Sequence, residues 1–161
     1  MINIFQLSQT FNVRKLTPDD VDQILKLSLG NEIFYQYHPP VATRDSILKD
    51  MEMLPPGKDL SDKFYIGIFK ELQLIAVMDL ISGYPDLETA YIGLFMMDIK
   101  FQGKGTGSQI IEECACGLKK MGYRKIRLAV DWDNPQSNSF WRKNHFIVTD
   151  EERYISMERI L

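Results

Sequence analysis

Gln102-Gly103-Lys104-Gly105-Thr106-Gly107-Ser108 follows an apolar run, Thr89 to Met97, and precedes a stretch of helical periodicity. That stretch carries Ile110, Ile111, Cys114, Ala115, Leu118 and Met121 on one side and should stop at Gly122. The heptapeptide is thus a strand-to-helix turn. An ordinary turn of this kind needs one glycine, whereas here three alternate with other residues and Lys104 stands among them. Glycines permit positive φ and let backbone amides approach an anion with no side chain between, and the helix N-terminus adds about half a positive charge. The segment reads as a phosphate cradle. Spacing disfavours two common versions of one. A P-loop needs Gly-Lys followed by Ser or Thr, but Gly105 follows Lys104 and no suitable glycine precedes. The dinucleotide fingerprint wants its third glycine where Ser108 stands, within a parallel βαβ unit.

Upstream, the chain has no such unit. Phe64 to Phe69, Leu74 to Ile81 and Thr89 to Met97 are β-rich runs separated by Lys70-Glu71 and by Ser82-Gly83-Tyr84-Pro85-Asp86, which predicts an antiparallel meander. Before it, Asn12 to Leu16 reads as a short strand. Thr17-Pro18-Asp19-Asp20 opens a helix with Val21, Ile24, Leu25 and Leu29 as its stripe. A second helix is expected from Thr43, with Ile47, Leu48, Met51 and Leu54 on one face. Residues 31 to 42 show no clean period and contain two prolines, so they read as a loop rich in aromatics. Downstream of the glycines, Lys125 to Val130 alternates as a strand burying Ile126, Leu128 and Val130. Asn134-Pro135 opens a helix running to about Asn144, and Phe146 to Val148 and Arg153 to Met157 close the chain as strands.

At 161 residues, 45% apolar and 25% charged, the chain has the size and balance of one globular domain. Its net charge of −3, without blocks of one sign, disfavours general nucleic-acid binding. The longest stretch free of charged residues, Met1 to Val13, is shorter than the roughly 20 residues a membrane span needs. It has scattered polar residues and no basic flank, unlike a secretory signal, so a cytoplasmic setting is expected. Cys114 and Cys116 fall on different faces of a helix; buried small apolar residues is the favoured reading over a metal or redox site.

The sequence resembles the GNAT superfamily of N-acetyltransferases in two places. Gln102 to Gly107 resembles the family's Gln/Arg-x-x-Gly-x-Gly/Ala signature. Asn134-Pro135-Gln136-Ser137-Asn138-Ser139-Phe140-Trp141-Arg142-Lys143-Asn144-His145-Phe146 resembles the second, an Asn followed by a helix ending in aromatic-x-Lys-x-Gly-Phe. The likeness is strong from about Tyr91 to Phe146 and holds in element order along the chain. It implies one α/β (α+β) domain over residues 1–161, with a central mixed, mostly antiparallel, splayed sheet flanked by helices. It also implies acetyl-coenzyme A as cofactor, bound between the strands near Met97 and Val130, and a small-molecule or peptide amine as acceptor. Homodimers are common among similar proteins. No metal is implied.

Residue by residue, the resemblance places the coenzyme on Met97, on Gln102, Gly103, Lys104, Gly105, Thr106, Gly107 and Ser108, and on Asn134, Ser137, Phe140, Trp141 and Lys143. The amides of Gly103 to Ser108 would take the pyrophosphate. Pantetheine would pair with the open edge of the Thr89 to Met97 strand, and the Met97 N–H would polarise the thioester carbonyl. Asn134 would reach pantetheine, cap the following helix, or do both.

Two departures stand out. The family's frequent catalytic tyrosine falls at Trp141, so the leaving thiolate has no obvious proton donor; solvent or a hydroxyl such as Tyr154 would serve, because a thiol of pKa about 8.5 leaves readily. His145 replaces the usual glycine, and a residue tolerant of left-handed backbone is favoured there over a catalytic one. The general base is not given by either signature. In many relatives a Glu lies where this chain has Tyr91, with Glu88 three residues earlier. Asp79, among Ala76-Val77-Met78 and Leu80-Ile81, is costly in so apolar a strand unless paired or used. It is read as facing the acceptor cleft, against an alternative of a solvated outer face. Tyr35, Tyr37 and His38 lie in the stretch that usually covers the acceptor site, where packing and substrate contact are weighed equally. The expected activity is acetyl transfer to a primary amine by direct attack in a ternary complex; the rival is a non-catalytic acyl-coenzyme A binding or sensor module.

Overall fold

Lys70 pairs with Gln73, leaving a two-residue turn in which Glu71 takes φ 56°. That tight reversal sets the register of the expected meander. In the computed structural model, which describes residues 1–161, the strands are β1 (Asn12–Lys15), β2 (Lys63–Lys70), β3 (Gln73–Ser82), β4 (Thr89–Met97), β5 (Lys125–Val130), β6 (Ile147–Glu151) and β7 (Ile155–Ile160). The helices are α1 (Val21–Leu29), α2 (Glu32–Tyr37), α3 (Arg44–Glu52), α4 (Thr106–Lys120) and α5 (Pro135–Lys143). One seven-stranded sheet has the order β1-β2-β3-β4-β5-β7-β6. Only β4 and β5 run parallel, since α4 carries the chain back between them. No helix is long and apolar enough to cross a membrane.

Strand alternation divides the core into two layers. Ile66 and Ile68 of β2, Met78 and Leu80 of β3, and Leu128 of β5 face α4, which buries Ile110, Ile111, Cys114, Ala115 and Leu118. On the other face, Tyr65, Phe69, Val77 and Met96 pack under Val21, Ile24 and Leu27 of α1 and Ile47 of α3. Gly117 lets α4 approach the N-terminal turn at Ile4–Gln6, where a Cβ would lie 2.2 Å from the Gln6 carbonyl oxygen.

Several expectations need correction. The Thr17 start forms first a 3-10 turn, Pro18–Asp20, because the Asp20 carboxylate reaches back to the Thr17 N–H at 2.8 Å and is gripped by Arg14 at 2.8 and 2.9 Å. Leu29 is exposed and Leu27 takes its place in the core, since the α stretch begins at Val21. Residues 31 to 42 are not all loop: Glu32–Tyr37 is helical and ends at His38, just before Pro39-Pro40. Six residues are too few for a period to declare itself. Cys114 is buried as expected, but Cys116 is exposed.

Candidate active site

β4 and β5 are paired only from Thr89 opposite Lys125 to Ile92 opposite Leu128; beyond that they part. The parting coincides with a register step against β3, where Leu80 faces Ile92 and Asp79 faces Leu94, so that Gly93 is an extra residue. The step inverts the alternation. Ala90 and Ile92 face α4 before it, and Phe95 and Met97 do so after it.

The Asp98 N–H donates to the Ile75 carbonyl at 2.8 Å, so by antiparallel alternation the backbone groups of Met97 and Phe95 point away from β3, into the gap left by β5. The Met97 carbonyl accepts from Asn31 Nδ2 at 2.9 Å and from Gln102 Nε2 at 3.0 Å. Asn31 is buried, also donates to the Leu27 carbonyl, and accepts from Gln102. These two amides fix the peptide plane at the end of β4 and tie it to α1.

Next to this edge lies the glycine turn. Gly103 and Gly105 have φ of +73° and +82°, and a Cβ at either would meet nothing within 4 Å. Gly105 caps α4 without a side-chain bond and the first turn has no acidic residue, so its N–H groups face an unblocked space. Gly107 is small for a different reason: a Cβ there would lie 2.8 Å from Met97 Sδ and 3.2 Å from Phe140. A cleft of about 410 Å³ joins the β4 edge, the turn and α5, lined among others by Asn31, Phe95, Met97, Gly105, Ser108 and Phe140.

Of the residues expected to hold the coenzyme, Met97, Gln102, Gly103, Gly105, Gly107, Ser108, Ser137, Phe140, Trp141 and Lys143 line this cleft. Lys104 and Thr106 belong to the turn but not to the lining. Asn134 is buried at the start of α5, where its Oδ1 accepts the Ser137 N–H at 3.1 Å. Trp141 is buried in an aromatic stack with Phe95, Phe140 and Phe146 at centroid distances of 5.0 to 5.9 Å. His145 takes φ 70°, the left-handed role anticipated for it. Asn31, Phe34 and Phe95 were not anticipated. Asn31 follows the helix-ending Gly30, and a polar residue at such a junction is the one signal that could have marked it.

Asp79 lies on the face covered by α1 and α3, over Gly93, and forms an ion pair at 2.8 Å with the buried Lys63, whose Nζ also donates to the Met53 carbonyl. Burial holds the Asp79 carboxyl above its ordinary range, with Lys63 pulling it back and Asp50 adding to the rise. Its Oδ1 has no partner. The same loss of hydration raises the phenols of Tyr65 and Tyr35. Tyr35 packs edge-on to Phe34, and Phe34 lines the cleft. Glu88 and Tyr91 do not line the cleft. Glu88 is exposed at the far end of β4, paired with Arg124 at 3.1 Å, and Tyr91 stacks edge-on with Tyr84 where β4 and β5 are still joined.

An open strand edge thus runs into a glycine-built turn at the start of α4, along one cleft. Residues 30–146 match the sequence profile of the Acetyltransferase (GNAT) family, and the chain belongs to that family. Acetyl-coenzyme A is the family's acyl donor. Among solved structures, an acetyltransferase from Thermus thermophilus is similar at 22% identity, with a TM-score of 0.80 over 94% of this chain and 97% of that one. PaiA N-acetyltransferase from Thermoplasma acidophilum, in complex with coenzyme A, is 21% identical with a TM-score of 0.71, covering 95% of this chain and 100% of that one. The Salmonella typhimurium acetyl transferase that modifies the N-terminal serine of ribosomal protein L7/L12 is 21% identical with a TM-score of 0.74, covering 99% of each chain. No curated protein matches.

Proposed function

We propose that the protein transfers an acetyl group from acetyl-coenzyme A to a primary amine, by direct attack with both reactants bound and no side chain acylated. The observation that carries this reading is the continuity of the outward edge of Phe95 and Met97 with the open φ-positive glycines of the α4 turn through one cleft. The residues present suit the coenzyme: unblocked amides for a diphosphate, and an unpaired strand edge for amide groups. The bound coenzyme supplies an activated acyl thioester. The amides from Gly103 to Ser108 would hold the diphosphate, with the charge of Lys104 nearby. The edge of β4 would orient pantetheine, and the Met97 N–H, or that of Phe95 two residues nearer the parting, would donate to the acyl oxygen as negative charge develops there. Asn31 and Gln102 keep that edge turned outward. The acceptor would enter from the side of α2 and α3, where Tyr35, Tyr37, His38 and Asp79 stand. A peptide amine suits this reading, given that the Salmonella protein modifies an N-terminal serine. A cytoplasmic setting and an aqueous acceptor go with it.

One feature favours a second reading, a coenzyme-binding module without catalysis: Trp141, whose indole offers no acid, replaces the usual tyrosine and is buried in its aromatic stack. Release of free coenzyme thiol from acetyl-coenzyme A, measured with a panel of alkylamines, polyamines and peptides, separates the two. At least one amine should stimulate release. Coenzyme binding without stimulation by any amine would leave the module.

A further inference from the structure

Beyond the end of β5, Asp131 turns toward His38, and both of its carboxylate oxygens stand 3.1 Å from His38 Nδ1. The two residues come from opposite sides of the gap between β4 and β5. Asp131 directly follows Val130, the last residue of the strand that parts from β4, and the Asn138 amide braces its carbonyl. His38 closes α2, and its ring leans on Phe34, a lining residue of the cleft, at 5.4 Å between centroids. The Asp131 side chain is mostly buried, whereas that of His38 is half exposed. Among protein atoms only Nδ1 of the imidazole is engaged. A carboxylate on Nδ1 sets the tautomer and leaves Nε2 with a free lone pair, the arrangement of an oriented base.

The other candidates are worse placed. Asp79 is already neutralised by Lys63, Glu88 is at the wrong end of β4, and Tyr91 lies where the strands are still paired. We propose that His38 is the proton acceptor for the attacking amine and that Asp131 is the residue that positions it; this rests on the amine acetyltransferase reading above. The alkylammonium gives a proton to His38 Nε2, while Asp131 offsets the imidazolium charge. The freed nitrogen lone pair forms the C–N bond, the C–S bond breaks with its electron pair left on sulfur, and the second proton shed by nitrogen ends on that sulfur. His38 returns its own proton to solvent. The charged groups around the imidazole are Asp131 from the segment after β5 and Asp50 from α3, and Asp50 in turn has Lys63 of β2 and Tyr35 of α2 near it.

The test uses the full chain with His38→Asn, whose amide nitrogen can stand in for Nδ1 and keep the bond to Asp131 but offers no base. Activity is followed from about pH 6 to about pH 10 with an amine that the panel identifies. At neutral pH kcat should fall about 100-fold with coenzyme affinity unchanged, and the loss should shrink as pH approaches the ammonium pKa near 10, where solvent already supplies free amine. Asp131→Asn should lie between the two. A His38→Asn profile parallel to wild type, or a kcat loss that persists unchanged at high pH, overturns the role of His38 while leaving acetyl transfer intact. Absence of turnover by the wild type with every amine would instead remove the acetyltransferase reading, and this proposal with it.

Discussion

The proposed anion role of the glycine turn is best tested by two substitutions of nearly equal size and different charge, Gly105→Asn and Gly105→Asp. Gly105 has φ +82°, and a side chain there would project into open space. Asn and Asp tolerate left-handed backbone better than most residues and have nearly the same volume, so both variants carry a similar strain of about 1 kcal/mol. The part of any difference in coenzyme affinity that salt screens then reports charge. A carboxylate about 6 Å from a diphosphate bearing two charges, at an effective dielectric of about 40, is repelled by about 3 kcal/mol. That corresponds to roughly 100-fold weaker binding. Titration calorimetry with coenzyme A should show this gap at low salt, and it should narrow at about 0.5 M salt as screening shortens to a few ångströms. Equal affinity of the two variants, or a gap indifferent to salt, would refute the placement of the diphosphate at this helix end.

Three further outcomes are expected. Asn31→Ala strips a donor from the Leu27 and Met97 carbonyls and should cost about 1–3 kcal/mol in urea unfolding, with weaker coenzyme binding; a change below about 0.5 kcal/mol would show that Gln102 alone holds the Met97 peptide. Hydrogen bonding from Arg14 holds the Asp20 carboxyl at about 2, below its ordinary 3.8. A depressed folded value stabilises above the unfolded pKa and is lost as pH falls through the folded one. Asp20→Asn should therefore be about 1–2 kcal/mol less stable than wild type at neutral pH, allowing for the half-exposed Arg14, and the deficit should close between about pH 4 and pH 2. A thiol reagent should modify Cys116 in the native protein, and Cys114 only on unfolding, since burial pushes the Cys114 thiol up to about 12; two fast thiols would contradict the packing of α4.

The sequence was most legible where chemistry and periodicity coincide. Thr89 to Met97 and Lys125 to Val130 stand where they were expected because apolar alternation is bounded at both ends by polar turns. The glycine turn was legible because its residues have few other reasons to occur together, although Gly107 answers to packing against Met97 and Phe140 and not to φ. What stayed hidden depends on pairing across the chain. The Lys63–Asp79 ion pair is a diagonal contact between β2 and β3 that needs the hairpin register, including its shift at Ile68, before it can be seen. The Asp131 contact with His38 spans 93 positions and two unrelated elements, so no local pattern could announce it. Glu88 illustrates the opposite case: its proximity to Tyr91 along the chain concealed a position at the far end of the strand, on Arg124.

Gly93 adds a single position to β4 and thereby exchanges the faces of everything after it up to Met97. Removing it would leave the amino acids of the following segment unaltered and yet turn Phe95 and Met97 over, sending their side chains beneath α1 and their peptide groups back toward β3. In this stretch the count of residues therefore matters more than their identity. A swap of Leu94 for another aliphatic residue should be absorbed, whereas a one-codon deletion nearby should silence the enzyme while sparing most of its framework.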